Sequence, residues 1–291
     1  MLTEQQNPRT VNLDQMTPLE IVQAMNEEDA SVARAVALVL PQIAAAVEAI
    51  TARMRRGGRL FYIGAGTSGR LGVLDAVECV PTFGVPPELV VGIIAGGERA
   101  FVRAVEGAED DADGGRRDLA AHNANALDCV VGIAASGSTP YVLGALEYAN
   151  ALGALTVGVS CNTEAPVTLR SEIGIEVAVG PEVLTGSTRL KAGSAQKMVL
   201  NMLSTAVMVG LGKVYGNLMV DVQITNAKLA ARARRIVMQI SGADEATADA
   251  ALKGADGHAK TAIVMIARRV DAQEARELLA AHSGHLREII G

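Results

Sequence analysis

The feature that most constrains the fold of this chain is a series of short apolar runs along its middle. Segments long enough for helices separate the runs, which are LFYI (60–63), LVVGII (89–94), CVVGIA (129–134), ALTVGVS (154–160) and GIEVAV (174–179). Continuous apolar runs of this length are typical of strands buried on both faces, and their alternation with helices is typical of a parallel sheet. The sequence therefore predicts the α/β class, with a mostly parallel sheet.

Helical patterns flank this central part on both sides. Asn26, ahead of an acidic stretch, predicts a helix N-cap, and Pro41 predicts a kink or two successive helices. The C-terminal part contains no further strand-like run, and glycine and serine residues divide it into short alanine-rich amphipathic pieces. We therefore expect three segments: an N-terminal helical segment 1–50, an α/β domain 51–215 and a C-terminal helical region 216–291.

Composition and charge exclude several classes of function. The formal net charge is −6, and the chain has no Trp, three Phe and four Tyr, so it lacks both a basic footprint and the stacking platforms of nucleic-acid binders. The uncharged stretch 198–212 is too short for a membrane span, which needs roughly 20 apolar residues. No basic region followed by an apolar one begins the chain, so we expect a cytoplasmic protein.

Cysteines and histidines indicate neither a disulfide framework nor a metal site. Cys79, Cys129 and Cys161 are odd in number and widely spaced, so we expect them to be reduced and buried. His282 and His285 have a spacing compatible with a metal, but no further ligand is nearby in the sequence. The sequence therefore predicts no metal site.

A glycine-rich loop follows the first predicted strand and has two interpretations. Gly64, Gly66 and Gly69 have the G-x-G-x-x-G spacing of a dinucleotide-binding turn. That interpretation needs an acidic residue at the tip of the second strand, where the chain instead has Ala-Gly-Gly followed by Glu98. The alternative is a cradle for a single phosphate, because Thr67 and Ser68 add hydroxyls to backbone N–H groups at a helix N-terminus.

Two further hydroxyl-rich loops favour the phosphate cradle over ordinary helix caps. The second loop, residues 136–139, follows the third strand, and Pro140 is placed to begin a helix after it. The third loop, residues 186–189, precedes a long helix. Together the three loops predict a sugar-phosphate pocket. Its candidate binding residues are Gly66, Thr67, Ser68, Ser136, Gly137, Ser138, Thr139, Ser187, Thr188, Arg189 and Lys191.

Two glutamates are candidates for general acid and base catalysis. On a helical wheel, Glu78 falls between Leu71 and Leu74, at the margin of an apolar stripe. The same construction on ERAFVRAVEGAE places Glu109 between Val102 and Val105, on a core-facing arc. A partly desolvated carboxylate suits proton transfer, whereas the alternatives are a solvent-facing edge residue for Glu78 and a solvated acidic run for Glu109.

The chain resembles the N-acetylmuramic acid 6-phosphate etherase family. The segments that carry the resemblance are FYIGAGTSGRLGVLDAVECVPTFGV, IAGGERAF, AVEGAED, GIAASGSTPYV, TGSTRLKAGSAQKMVLNMLSTAVM and GNLMVDV. The resemblance runs from about Leu19 over nearly the whole chain. Its middle is similar to the sugar isomerase (SIS) domain, and its ends are similar to that family's helical extensions.

The resemblance implies an activity, a state of assembly and a set of site residues. It implies a cytoplasmic, metal-independent homodimer that cleaves the D-lactyl ether of N-acetylmuramic acid 6-phosphate during cell-wall sugar recycling. The family's two catalytic glutamates correspond to Glu78 and Glu109, and the SIS pattern places sugar-phosphate contacts in the first and second loops. Ser138 stands where the family more often has an arginine.

Two alternative functions remain open from the sequence. An aldose–ketose isomerase on the same type of domain would use a similar carboxylate for proton transfer without releasing lactate. A sugar-phosphate sensor would need no acid pair, and a relative of this family regulates a sugar kinase. The N-terminal 50 residues contain no basic recognition helix, which counts against a transcriptional sensor.

Overall fold

A computed structural model describes residues 1–103, 105–222, 224 and 227–291 of the chain. Its main sheet has five strands in the order β2-β1-β3-β4-β5. The strands are β1 (Leu60–Gly64), β2 (Val90–Ile94), β3 (Cys129–Ala134), β4 (Leu155–Ser160) and β5 (Ile173–Glu176). Every neighbouring pair is parallel, so the predicted α/β class and parallel sheet are confirmed.

The last strand lies earlier than the apolar run that predicted it. Strand β5 begins at Ile173 and ends at Glu176, whereas the run extends from 174 to 179. Val177 and Val179 stay buried beyond the end of the strand, so their apolar character reflects packing and not sheet pairing. The other four predicted strands agree with the structure to within one residue.

Helices precede the sheet and connect its strands. Strand β1 follows the first three helices, and the connections between strands hold five more before the long helix α9. The helices are α1 (Pro18–Asp29), α2 (Val32–Ala37), α3 (Leu40–Met54), α4 (Gly66–Phe83), α5 (Arg99–Val102), α6 (Ala112–Ala121), α7 (Pro140–Leu152), α8 (Pro166–Leu169) and α9 (Lys191–Gly210).

The N-terminal helices correct one predicted boundary and confirm another. Helix α1 begins after Thr17, which forms a reciprocal capping box with Glu20, so the predicted N-cap at Asn26 is wrong. Asn26 lies inside α1. The two successive helices expected around Pro41 are confirmed, because α2 ends at Ala37 and Pro41 lies in the first turn of α3.

The C-terminal part is mainly helical. It contains α10 (Ala227–Ser241), α11 (Glu245–Gly254), α12 (Ala259–Arg268), α13 (Ala272–Ala281) and α14 (Leu286–Ile290). A short antiparallel hairpin precedes them, formed by β6 (Val214–Tyr215) and β7 (Leu218–Met219). The expectation that no strand follows Tyr215 is therefore wrong. The Gly216-Asn217 pair between the two strands is a hairpin signal, but each strand is too short to form an apolar run.

The described chain divides into two compact units. We name Met1–Val77 with Glu88–Ser204 the sheet unit, and Glu78–Pro87 with Thr205–Gly291 the helical unit. Each unit has its own apolar core, with Phe61, Val130 and Leu146 buried in the first and Val237 and Ile263 in the second. The predicted segments 1–50, 51–215 and 216–291 stay a prediction, because these units gather residues from separate parts of the chain.

The cysteines and the longest helices bear on two further expectations. Cys79, Cys129 and Cys161 are buried, as the sequence predicts, and the described chain links none of them in a disulfide. Burial raises the pKa of Cys129 and that of Cys161 to about 12. Among the described helices, none is by itself long and apolar enough to cross a membrane; Pro18–Ala37 and Leu40–Met54 meet that test only as a pair bent by 58°.

Candidate functional site

The strand order places a ligand-binding position between β1 and β3. Strand β1 pairs with β2 on one side and with β3 on the other, so the chain changes direction across the sheet at β1. Open α/β sheets bind ligands outside the carboxyl ends of the strands at such a switch point. The first and second hydroxyl-rich loops follow β1 and β3, and thus lie at this edge.

Glycine determines the shape of the first loop. Gly66 has a φ of +53° and begins α4, and a Cβ on Gly69 would lie 2.6 Å from the carbonyl oxygen of Gly64. The first N–H groups of an α-helix have no partner within the helix, and they bind anions well. The structure therefore presents backbone donors at the end of β1, as the phosphate-cradle interpretation expects.

The two hydroxyls of the first loop have different surroundings. Ser68 is buried, and its Oγ donates a hydrogen bond of 2.9 Å to Oε1 of Gln196. Thr67 is half-buried and lines a cavity of about 440 Å³. The structure therefore assigns the Ser68 hydroxyl to contact with α9, and leaves the Thr67 side chain facing open space.

The second loop depends on a glycine and keeps a threonine hydroxyl uncommitted. Gly137 has a φ of +77°, and a Cβ there would lie 2.3 Å from the Cβ of Ala165. The backbone N–H of Ser138 donates to Oγ of Ser136 at 3.2 Å. Thr139 is the N-cap residue of α7, but its side chain makes no cap hydrogen bond with the described chain. The ordinary-cap alternative therefore does not account for Thr139.

The third loop meets the first one. The Cγ2 atom of Thr67 and the carbonyl oxygen of Thr188 lie 3.5 and 3.6 Å from the position that a Cβ on Gly193 would occupy. Thr67 and Arg189 line the same cavity, which we name the Thr67 cavity. Its other polar lining side chains are those of Asp29, Ser194 and Lys197, and its apolar lining includes Val32, Ala33, Leu71 and Met198.

Several predicted binding residues do not line the Thr67 cavity as the structure describes it. Lys191 is buried, and its Nζ forms an ion pair of 2.5 Å with Glu28. The others lie in the three loops, at exposures ranging from the exposed Ser138 to the buried Gly137; they are Gly66, Ser68, Ser136, Gly137, Ser138, Thr139, Ser187 and Thr188. Their role in substrate binding stays a prediction.

A buried carboxylate supports the start of α9. Glu182 is fully buried and accepts hydrogen bonds of 2.9 Å from the backbone N–H groups of Lys191 and Ala192. Burial raises the pKa of Glu182, and those two N–H groups act in the opposite direction. Burial also raises the pKa of Glu28, but its contacts with Lys191 and Arg9 give a net lowering. This network fixes the backbone that follows the third loop.

Glu78 lies on α4 and is exposed. Leu74, its neighbour on the wheel, is 48% exposed, so the predicted desolvation of Glu78 at the margin of an apolar stripe is wrong for this chain. The apolar side chain of Leu74 does not face a core. The catalytic role of Glu78 rests on the family pattern and stays a prediction.

Glu109 is not on the helix that predicted it. Helix α5 ends at Val102, which is 79% exposed, and Glu109 is exposed on the 3₁₀ turn Ala108–Asp110. Gly107, with a φ of +74°, immediately precedes that turn. The core-facing arc constructed for Glu109 is therefore wrong, because the chain leaves the helix before reaching it. Its catalytic role also stays a prediction.

Metal ligands do not cluster in the part of the chain that the structure describes. No group of three or more His, Cys, Asp or Glu side chains is placed to hold an ion there. Nδ1 of His282 lies 3.2 Å from a carboxylate oxygen of Glu288, which gives that ring a partner.

Sequence reasoning missed three residues that shape this site: Asp29, Glu182 and Lys197. Ser194 and Lys197 lie three residues apart on α9, so a helical pattern could have placed them on one face. Asp29 and Glu182 are distant in sequence from the loops that they accompany, and no local pattern identifies them.

Comparison with known families supports the architecture. A model of the glucokinase regulatory protein N-terminal SIS domain matches residues 42–150, and a model of the SIS domain matches residues 111–206. Both matches fall on the strands and loops described above. They identify the α/β part of the chain as an SIS domain.

Full-length relatives decide the family. The chain is 59% identical over 289 residues to N-acetylmuramic acid 6-phosphate etherase of Mycolicibacterium smegmatis, which covers 99% of this chain and 97% of the relative. It is 57% identical over 290 residues to the protein of that name from Actinobacillus pleuropneumoniae, covering 100% of this chain and 95% of the relative. The chain belongs to the N-acetylmuramic acid 6-phosphate etherase family. The resemblance stated from its motifs is thereby confirmed.

Solved structures share the fold of this family member at much lower identity. A phosphoheptose isomerase from Francisella tularensis superposes with a TM-score of 0.55 and 20% identity, covering 67% of this chain and 100% of that one. A phosphosugar isomerase from Bacteroides fragilis has a TM-score of 0.50 and 19% identity, covering 65% of this chain and 90% of that one. These likenesses show a shared SIS fold, and they do not extend to activity.

Proposed function

We propose that this chain cleaves the D-lactyl ether of N-acetylmuramic acid 6-phosphate to give N-acetylglucosamine 6-phosphate and D-lactate. The observation that carries the proposal is the identity of 59% over nearly the full length of a relative named for that etherase activity. The first loop supports it independently, because a helix N-terminus with a glycine-rich entry suits a sugar phosphate. The reaction belongs to the recycling of cell-wall amino sugars.

The chemistry of the substrate suggests how two carboxylates suffice. In the open-chain sugar, the aldehyde at carbon 1 makes the proton on carbon 2 acidic. A base removes that proton, lactate leaves carbon 3 with help from an acid, and water then adds to the unsaturated aldehyde at carbon 3. The aldehyde itself accepts the electron pair, so the proposed mechanism requires no metal or other cofactor, and we expect activity to survive treatment with a chelator.

We assign the two catalytic roles to the glutamates that match the family pattern. Glu78 protonates the departing lactate and then activates water, since one carboxylate can act in both directions. Glu109 is the base that removes the proton from carbon 2. Both side chains are exposed and make no hydrogen bond or ion pair with the described residues, which leaves them available to a substrate.

The proposal includes a homodimer in the cytoplasm. Leu74 and Val77 lie on one face of α4 and are 48% and 61% exposed, and exposed large apolar side chains on one face suit a subunit interface. Buried cysteines that form no disulfide among the described residues suit a reducing compartment. Sedimentation of the wild type and of Val77→Asp measures the assembly: a dimer that the variant converts to monomer supports this part, and a monomeric wild type contradicts it.

Release of D-lactate tests the activity directly. Purified protein is incubated with N-acetylmuramic acid 6-phosphate, and free D-lactate is assayed with a D-lactate dehydrogenase. Release of D-lactate is the expected result, and isomerisation of a sugar phosphate without lactate release would favour the isomerase alternative. In ¹⁸O-labelled water, elimination and addition place the heavy oxygen in the product sugar. Heavy oxygen in D-lactate would overturn the elimination mechanism.

A further inference from the structure

Two cationic side chains without partners in the described chain line the Thr67 cavity. Arg189 and Lys197 both line it, both are exposed, and neither side chain forms an ion pair or a hydrogen bond with the residues that the structure describes. Other cations nearby are neutralised, since Lys191 is paired with Glu28 and Arg9 is paired with Glu27 and Glu28. The unpaired state of Arg189 and Lys197 therefore leaves the cavity able to attract an anion.

The proposed substrate carries two anionic groups with different chemistry. Its phosphate has only oxygen atoms at its surface and suits the backbone donors at the N-terminus of α4. Its lactyl group presents a carboxylate and a methyl on the same carbon. A pocket for that group needs a cation beside an apolar wall.

The Thr67 cavity combines these two features around Lys197. Met198 follows Lys197 directly on α9, and Leu71, Val32 and Ala33 contribute further apolar lining to the same space. Thr67 connects the cavity to the first loop, because it belongs to both. A sugar held by its phosphate at the first loop can thus extend its lactyl arm into a space with both cationic and apolar walls.

We infer that Lys197, with Arg189 beside it, binds the lactyl carboxylate and makes the site selective for a lactyl ether over a plain amino-sugar phosphate. This inference rests on the proposed function and adds a residue that determines specificity. Asp29 lines the same cavity and is exposed without an ion-pair partner in the described chain. Its negative charge opposes the binding of a carboxylate, and it provides a variant with the opposite expected sign.

The test compares two ligands that differ only in the lactyl group. For the wild type and Lys197→Met, we would measure KM for N-acetylmuramic acid 6-phosphate and the inhibition constant of N-acetylglucosamine 6-phosphate. Lys253→Met, an exposed lysine on α11 of the helical unit, is the matched control. A charge-assisted hydrogen bond is lost with the ammonium, so we expect KM to rise roughly ten-fold or more while the inhibition constant stays unchanged.

Each outcome separates this inference from its alternatives. Lys197→Arg should restore much of the affinity for the substrate, and Asp29→Asn should lower KM. Equal weakening of both ligands by Lys197→Met would place Lys197 at the phosphate or in the fold and overturn the inference, as would no change in either. If Lys197→Met does not fold, Lys197→Gln takes its place and is judged by the same two constants. A wild type that releases no D-lactate would instead overturn the proposed function.

Discussion

A cationic pair in the sheet unit and a lysine in the helical unit have opposite surroundings. In the sheet unit, Arg189 and Lys197 line the Thr67 cavity without ion-pair partners among the described residues. In the helical unit, Lys260 is buried, and its Nζ donates hydrogen bonds of 2.6 Å to Asp221 and 2.9 Å to the carbonyl oxygen of Gly212. Lys213 pairs with the same carboxylate at 3.2 Å.

This difference indicates which charges serve the fold and which are available to a ligand. A buried charge needs a partner to offset its loss of hydration, and Lys260 has two within its own unit. Burial lowers the pKa of Lys260, and Asp221 acts in the opposite direction. An exposed charge beside a cavity needs no such partner. Substitution of a buried, paired charge should therefore lower stability, whereas substitution of an exposed charge beside the cavity should lower activity.

The largest expected effect is on turnover, from Glu78→Gln. Glu78 is exposed and has no partner among the described residues, so its amide should preserve the fold while removing proton transfer. We expect the rate of D-lactate release to fall roughly 10²- to 10⁴-fold, with an unchanged melting temperature.

Glu88→Gln is the matched control for that variant, because Glu88 is also an exposed glutamate. Its turnover should equal that of the wild type. Near-wild-type turnover in Glu78→Gln would remove Glu78 from the mechanism. A lowered melting temperature in Glu78→Gln would instead place this residue with the charges that serve the fold.

The next effect is on stability, from Lys260→Met. This change leaves the carbonyl oxygen of Gly212 without its donor, while Asp221 keeps Lys213 as a partner. We expect the free energy of unfolding in urea to fall by roughly 2–3 kcal/mol, because the variant removes one member of a buried charged pair. KM for the substrate should not change. A variant that keeps its stability but binds substrate poorly would contradict the comparison between the units.

The smallest effect concerns pH and the buried Glu182. Its pKa in the folded chain is raised above the ordinary value of 4.5, so the folded state holds this proton to a higher pH than the unfolded state does. The stabilising contribution of the protonated group is therefore complete below pH 4.5 and is lost as the pH rises through the raised pKa.

Glu182→Gln should remove this dependence. The measurement is the free energy of unfolding of the wild type minus that of the variant, from pH 4.5 upward. We expect this difference to decline by on the order of 1 kcal/mol and then to level off. A difference that rises with pH would show that the two backbone N–H groups outweigh burial at Glu182.

Much of the fold was predictable from the sequence because strands buried on both faces appear as continuous apolar runs. For four of the five strands, the ends of the run lie within one residue of the ends of the strand. The N-terminus of α1 was also within reach, since Thr17-Pro18 followed by Glu20 is a capping signal that Asn26 lacks. The hairpin at Gly216-Asn217 was missed because two-residue strands leave almost no pattern.

The candidate site was predictable in its loops and not in its charges. Glycine and hydroxyl residues directly after a strand indicate a ligand-binding loop from the local sequence alone, as they do around Thr67. The pairing of Lys191 with Glu28 joins residues far apart in sequence, so nothing near Lys191 indicates that its ammonium is occupied. The wheel for Glu109 was wrong because it assumed an unbroken helix, whereas the chain turns at Gly107.

The three buried thiols offer a separate reporter for each unit. Cys129 and Cys161 lie in the sheet unit, and Cys79 lies in the helical unit. Thiolate is the form that reacts with alkylating agents, so a thiol with a pKa of about 12, such as that of Cys129 or Cys161, is protected in the native state twice over, by burial and by protonation. Labelling of an individual cysteine therefore records transient opening of the unit that contains it. Mass spectrometry of the alkylated peptides would report the local opening equilibrium of each unit in the wild-type protein, without introduced cysteines.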